Sequence, residues 1–310
     1  MSIFFSDSLE DARSVTVANN GKDKSECLNL ESPTKCQSIK YVLTSRVRSK
    51  ISIIYVEGDA SGTYKRCRYN RDQIVIPNYK IVHVIGLNNT TKHVNYHCTL
   101  KMSGLFPVDS KVIFRNFKFL SSTIQFNRLQ ATFYDSIFIN PCISSQYVIA
   151  TLLLSFVNTT WVTLNSGNQN LMCKNRVQLT LAEIIHVSIS NSTFDGTTFN
   201  LKANYLTIVV ESSIFSGDQM IDNAVFQVSN RKGWFIARNI IKISNCKIYN
   251  VSRSVTATGD AKQSSFLIAD MRSVIIELSN SLFENIGQTL AVMMLRQGDF
   301  GTKVNVTVIS

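Results

Sequence analysis

The chain has 310 residues, 45% of them apolar, and 32 basic against 21 acidic side chains give it a formal charge of +11. Thirteen glycines without a Walker-type or G-x-G-x-x-G run argue against nucleotide binding, and seven cysteines without a C-x-x-C argue against a zinc site. The longest apolar stretch, 148–157, is about ten residues, half of the roughly 20 that a helical bilayer span needs.

Residues 1–26 are polar and unpatterned and read as an irregular lead-in. The segment 27–36 is bracketed by Cys27 and Cys36 and contains Pro33, a short loop that a disulfide would close. Behind it, Ile39, Val42, Leu43 and Val47 fall on one helical face, predicting a short amphipathic helix over the open end of whatever follows. Strand-like runs come next at 51–56, 73–76, 81–85 and 94–98.

From residue 112 onward one phrase recurs: apolar–x–apolar–x–Asn–small–x–aromatic. Its clearest copies begin at Val187, Ile241 and Ile276. In register, one column reads Asn116, Asp135, Asn158, Asn191, Ser212, Asn245, Asn280, and three positions later another reads Phe119, Phe138, Trp161, Phe194, Phe215, Ile248, Phe283. A second turn column follows two residues on: Ser121, Asn140, Thr163, Gly196, Gly217, Asn250, Asn285. Turn-forming polar residues alternating with large apolar ones are what stacked solenoid coils require. The copies lie 19 to 35 residues apart, so each is one coil, with surplus length leaving as excursions near 165–176, 230–238 and 252–263. The alternation puts Val187 and Ile189 inward and Ser188 outward. The Asn column is expected to turn inward too and to hydrogen-bond along a ladder.

These columns resemble the right-handed parallel β-helix of the pectin-lyase-like superfamily. The cysteine-bracketed start, the short helix, and the runs Ile51-Ser-Ile-Ile-Tyr-Val and Ile81-Val-His-Val-Ile-Gly resemble large extracellular β-helix proteins of the polymorphic-outer-membrane-protein type. The resemblance implies an all-β fold, with 27–310 as one parallel β-helix domain behind a capping helix. Residues 306–310 read as the opening of a further copy, so the chain is expected to be a piece of a longer secreted protein. Superfamily membership implies little about activity, since this fold carries lyases, hydrolases, adhesins and stalks.

No constellation of catalytic type emerges, and neither a metal site nor a cofactor is expected. Asp195 and Asp218, in successive copies, are the best candidates for a hydrolytic acid pair, and read more simply as turn acids. His93 and His97 are spaced for a metal only on a helix, yet they lie in a strand-like run. Trp161 belongs to the core column. Arg231, Lys232 and Trp234 sit together in an excursion and form the candidate ligand contact, cations to hold a sulfate or carboxylate and a ring to stack on a sugar. Cys67–Cys98 is a second candidate disulfide. The candidate N-glycan acceptors are Asn88 or Asn89, Asn250 and Asn305. Asn158 and Asn191, though in sequons, are set aside if their column faces inward. The reading is a non-enzymatic extracellular or cell-surface β-helix with structural and adhesion-like roles. Its partners would be acidic glycans or extracellular proteins, without specific nucleic-acid recognition. The alternative is a carbohydrate-active enzyme, a lyase or glycoside hydrolase, acting on an acidic glycan.

Overall fold

The computed structural model describes residues 13–29, 34–45, 51–66, 72–76, 81–88, 91–97, 99–104, 110–127, 130–145, 151–164, 175–180, 182–220, 224–230, 239–253, 265–271, 273–286, 293–296 and 303–309. Their strands form three sheets of eleven, nine and nine strands, here A, B and C. One coil runs through Ile184–Ser190 in A, Thr193–Asp195 in B and Thr198–Ala203 in C, and the next begins with Tyr205–Glu211 back in A. Each strand pairs in parallel with its counterpart one coil away. This is an all-β parallel β-helix. Ten steps of about 4.8 Å make sheet A roughly 48 Å long.

The register matches the sequence columns. Val112, Ala131, Leu154, Val187, Ile208, Ile241 and Ile276 pair in succession, as do Phe114, Phe133, Phe156, Ile189, Val210, Ile243 and Leu278. All are buried, and they interdigitate inside the coil with the aromatic column from sheet B. There Phe119 stacks on Phe138 at 5.0 Å between ring centroids, Phe138 on Trp161 at 4.5 Å, and Phe194 on Phe215 at 5.0 Å. Sheet C adds Phe199 on Phe226 at 4.8 Å. Trp161 is fully buried, with its indole N–H unpartnered. Identical types repeat because a parallel in-register stack places like positions against like, which rewards flat rings that can offset-stack. Ile113 and Thr132 point away from this core on sheet A and are nevertheless buried.

The corner between A and B corrects one expectation. Asn116, Asp135, Asn158, Asn191, Ser212, Asn245 and Asn280 all adopt positive φ, between 44° and 61°. Their side chains are half-buried or exposed rather than inward. A single αL residue turns the chain sharply, and here its Cβ is left on the outside of the bend. Asn is enriched because it tolerates αL best after glycine. The inward position is the small residue that follows. Ser136, Thr159, Ser192, Ser213 and Cys246 are all buried. Ser192 Oγ donates to Ser190 O at 2.8 Å and accepts from Thr159 N at 3.0 Å, while Ser192 N donates to Ser213 Oγ at 3.1 Å. Cys246 continues the ladder, its Sγ donating to Ser244 O at 3.1 Å and its amide to Ser281 Oγ at 3.1 Å.

The corner between B and C also uses αL residues, at Ser121, Asn140, Gly196, Asn250 and Asn285. Thr163 and Gly217 depart from the pattern: neither adopts positive φ, and the pairing register shifts at Gly217. Asn140 is buried and clasps Leu164 in both directions, Nδ2 to Leu164 O and Leu164 N to Oδ1, each at 3.0 Å.

At the N-terminal end, the segment expected to be irregular contains the first strand of sheet A, Arg13–Ala18. Its Val15 and Val17 are buried, an alternation too short to stand out against the polar flanks. The helix forms at Ile39–Thr44, with Ile39, Val42 and Leu43 buried and Ser38 Oγ capping Tyr41 N at 3.1 Å. Asp23 holds that cap, accepting from the amides of Gln37 and Ser38 at 2.8 and 2.9 Å. Cys27 and Cys36 are disulfide-bonded, with their Cα atoms 5.1 Å apart. Cys36 bridges Val17, so the bond fastens the loop to the first strand.

Candidate functional site

Arg231, Lys232 and Trp234, together with Asn89 and the pair Cys67 and Cys98, lie outside the described residues. Asn305 lies on the edge strand of sheet A, Lys303–Ile309. Asn250 is half-buried at the B–C corner, where its Oδ1 accepts from Asn285 Nδ2 at 3.2 Å. Asp195 registers with Ser216 rather than Asp218, and its carboxylate accepts from Ser216 Oγ at 3.0 Å. The side chain of Asp218 lies outside the described residues.

Several other charged groups are committed to structure. Glu277 pairs with Lys242 at 2.8 Å across neighbouring strands of sheet A, and Glu284 with Lys247 at 3.6 Å in sheet B. Asp135 receives Lys92 at 3.5 Å and the amide of Asn158. His93 Nε2 meets Asp135 O at 2.9 Å, so this tautomer carries its proton on Nε2. Burial lowers the His93 pKa, against the partly opposing backbone bond to Asp135, and burial alone lowers that of His186. Both side chains are accordingly neutral at pH 7. Burial raises the Cys246 thiol, which is unpaired with any other cysteine. Among the described residues no group of three His, Cys, Asp or Glu side chains converges where a metal could bind.

The outward face of sheet C is different. Lys101, Gln125, Ser144, Gln178, Asn200 and Gln227 stand in one register column on six successive strands. Arg176 and Lys202 flank it on the same strands as Gln178 and Asn200. The column ends at Ile268, which is buried. Primary amides at four of the six positions and the Ser144 hydroxyl each supply a donor and an acceptor, at steps of about 4.8 Å, so the face offers a linear polar track with three cations in or beside it. Gln125 Oε1 is buried without a hydrogen-bond donor in reach. This track suits an extended, hydroxyl-rich, anionic chain lying along the rod. It has the makings of recognition, by many modest hydrogen bonds and a few charge-assisted ones, rather than of bond cleavage.

The sequence carries a signal for this column that lies outside the repeated phrase: Ile124-Gln-Phe126, Val177-Gln-Leu179, Phe199-Asn-Leu201 and Phe226-Gln-Val228 all read apolar–amide–apolar. The phrase is anchored at the A–B corner, and its turn residue stands nine residues before Gln125, Ser144 and Asn200 but 20 before Gln178 and 15 before Gln227. Comparison with protein-family models, with curated proteins and with solved structures found no match to this chain.

Proposed function

We propose that this chain is a non-enzymatic, extracellular or cell-surface β-helical rod of the pectin-lyase-like type. On this reading it binds an acidic glycan, or an acidic segment of an extracellular protein, along the face of sheet C. The observation that carries the proposal is the unbroken column from Lys101 to Gln227, flanked by Arg176 and Lys202. A rigid stacked core keeps those six positions at fixed spacing, which lowers the ordering cost of binding a repeating polymer. The surplus of basic side chains over the whole chain favours a polyanion and would make the affinity salt-sensitive. The Arg231, Lys232 and Trp234 cluster is a second proposed contact of the same chemistry.

The test is a binding and turnover screen of the full chain on polyuronates and glycosaminoglycans. The expected result is saturable, salt-dependent binding without cleavage. Binding should weaken at least tenfold in a Lys101→Ala, Arg176→Ala, Lys202→Ala triple variant and be retained in Lys242→Ala on sheet A. Equal affinity for wild type and triple variant removes the face. Cleavage that disappears in Asp195→Asn replaces the rod with a carbohydrate-active enzyme.

A further inference from the structure

We infer that Asn191 is an acceptor for an N-linked glycan. It opens the tripeptide Asn191-Ser-Thr193. The expectation that its column faces inward would exclude it, but the structure reverses that premise. Asn191 is exposed at the A–B corner with φ 49°, and its side chain makes no hydrogen bond to the described residues. Thr193 is half-exposed on the outward side of sheet B, where it pairs with Thr160 and Ile214 on neighbouring strands.

The other sequons in the described residues differ. Asn158 is exposed, but its Nδ2 is held by the carboxylate of Asp135. Asn88 Nδ2 donates to Thr91 Oγ1 and to His93 O at 2.9 Å. Asn250 Oδ1 accepts from Asn285. Asn191 is exposed and its amide makes no hydrogen bond to the described residues, so a sugar there displaces none of their contacts, whereas Asn250 is half-buried and the side chain of Asn305 lies outside the described residues. In transfer, Asn191 Nδ2 attacks C1 of a lipid-diphosphate-linked oligosaccharide. The N–C1 bond forms as the C1–O bond to the diphosphate breaks. The diphosphate leaves with the electron pair, and the amide gives up one proton.

Two further observations agree. Cys27–Cys36 is bonded and Cys142 is also disulfide-bonded, the cysteine state of an oxidising compartment, where such transferases work. Asn191 stands between the strands of sheets A and B, whereas the polar track runs along sheet C.

The inference shares only the secretory placement with the proposed function, and its test does not depend on any binding partner. The full chain, fused to an import leader and carrying an added acceptor sequon on a C-terminal tail, is translated with microsomes. Chains glycosylated on the tail are then mapped at residue 191, where peptide N-glycosidase F leaves Asp in place of a glycosylated Asn. Glycan at Asn191 in wild type and Thr193→Ser, and none in Thr193→Ala, is the expected result. Asn158→Gln should leave occupancy at 191 unchanged. Tail-glycosylated chains with an unmodified Asn191 overturn the inference.

Discussion

Replacing Ser192 by Ala tests the inner hydroxyl ladder most directly. Ser192 is 2% exposed, so no water stands ready to replace what its hydroxyl does. The bond it donates to Ser190 O is the smaller loss, because that carbonyl also accepts from Asn158 N at 3.0 Å. The larger loss is at Thr159. Its buried amide, 3.0 Å from Ser192 Oγ, is left without an acceptor, and its hydroxyl loses a 3.2 Å contact to the same oxygen. One orphaned buried donor costs about 1–3 kcal/mol, and with the weakened hydroxyl the sum is about 2–3 kcal/mol. The outward neighbour Ser188 is half-exposed and should tolerate Ala within about 0.5 kcal/mol. Urea unfolding gives the global difference, and amide hydrogen exchange at Thr159 gives the local one. Exchange at Thr159 should quicken roughly 30- to 150-fold in Ser192→Ala. Cys246→Ser should be nearly neutral, because a hydroxyl there makes the bond that the thiol already makes to Ser244 O. If Ser192→Ala and Ser188→Ala behave alike in both measurements, the ladder is not what holds the corner.

At the exposed αL corner, Asn245→Gly should leave the urea midpoint nearly unchanged, whereas Asn245→Val should cost about 1–2 kcal/mol because a β-branched residue fits φ 54° poorly. Acid stability follows from His93 and His186, whose folded pKa values lie below the ordinary 6.5. Their contribution is complete above 6.5 and falls away as pH drops from there through the depressed folded values, since the unfolded chain takes up protons first. His186→Gln should flatten that decline in a midpoint-versus-pH series, and an unchanged slope would refute the assignment. Breaking Cys27–Cys36 by a Cys27→Ser, Cys36→Ser double substitution should cost roughly 2.5–3 kcal/mol for a loop of this length, read as a lower urea midpoint of the oxidised protein.

The architecture was legible in the sequence because a parallel in-register stack copies each side-chain environment from coil to coil, so chemistry repeats at fixed offsets. The two inward columns of sheet A and the aromatic column could be read that way, while the helix at Ile39–Thr44 was legible from its own apolar face and the Cys27–Cys36 bond from the short loop around Pro33. Facing at the corners could not. Alternation assigns sides only while the chain stays extended, and one αL residue breaks the period. The Asn column therefore turned out to face solvent, and the inward role passed to Ser192, Ser213 and Cys246. Sheet C was hidden for a related reason. Its strands follow connections of unequal length: Gln125 and Asn200 stand nine residues past the turn residue of their copy, but Gln178 and Gln227 stand 20 and 15 past theirs. The column exists only because backbone pairing between coils restores the register that the linear spacing loses.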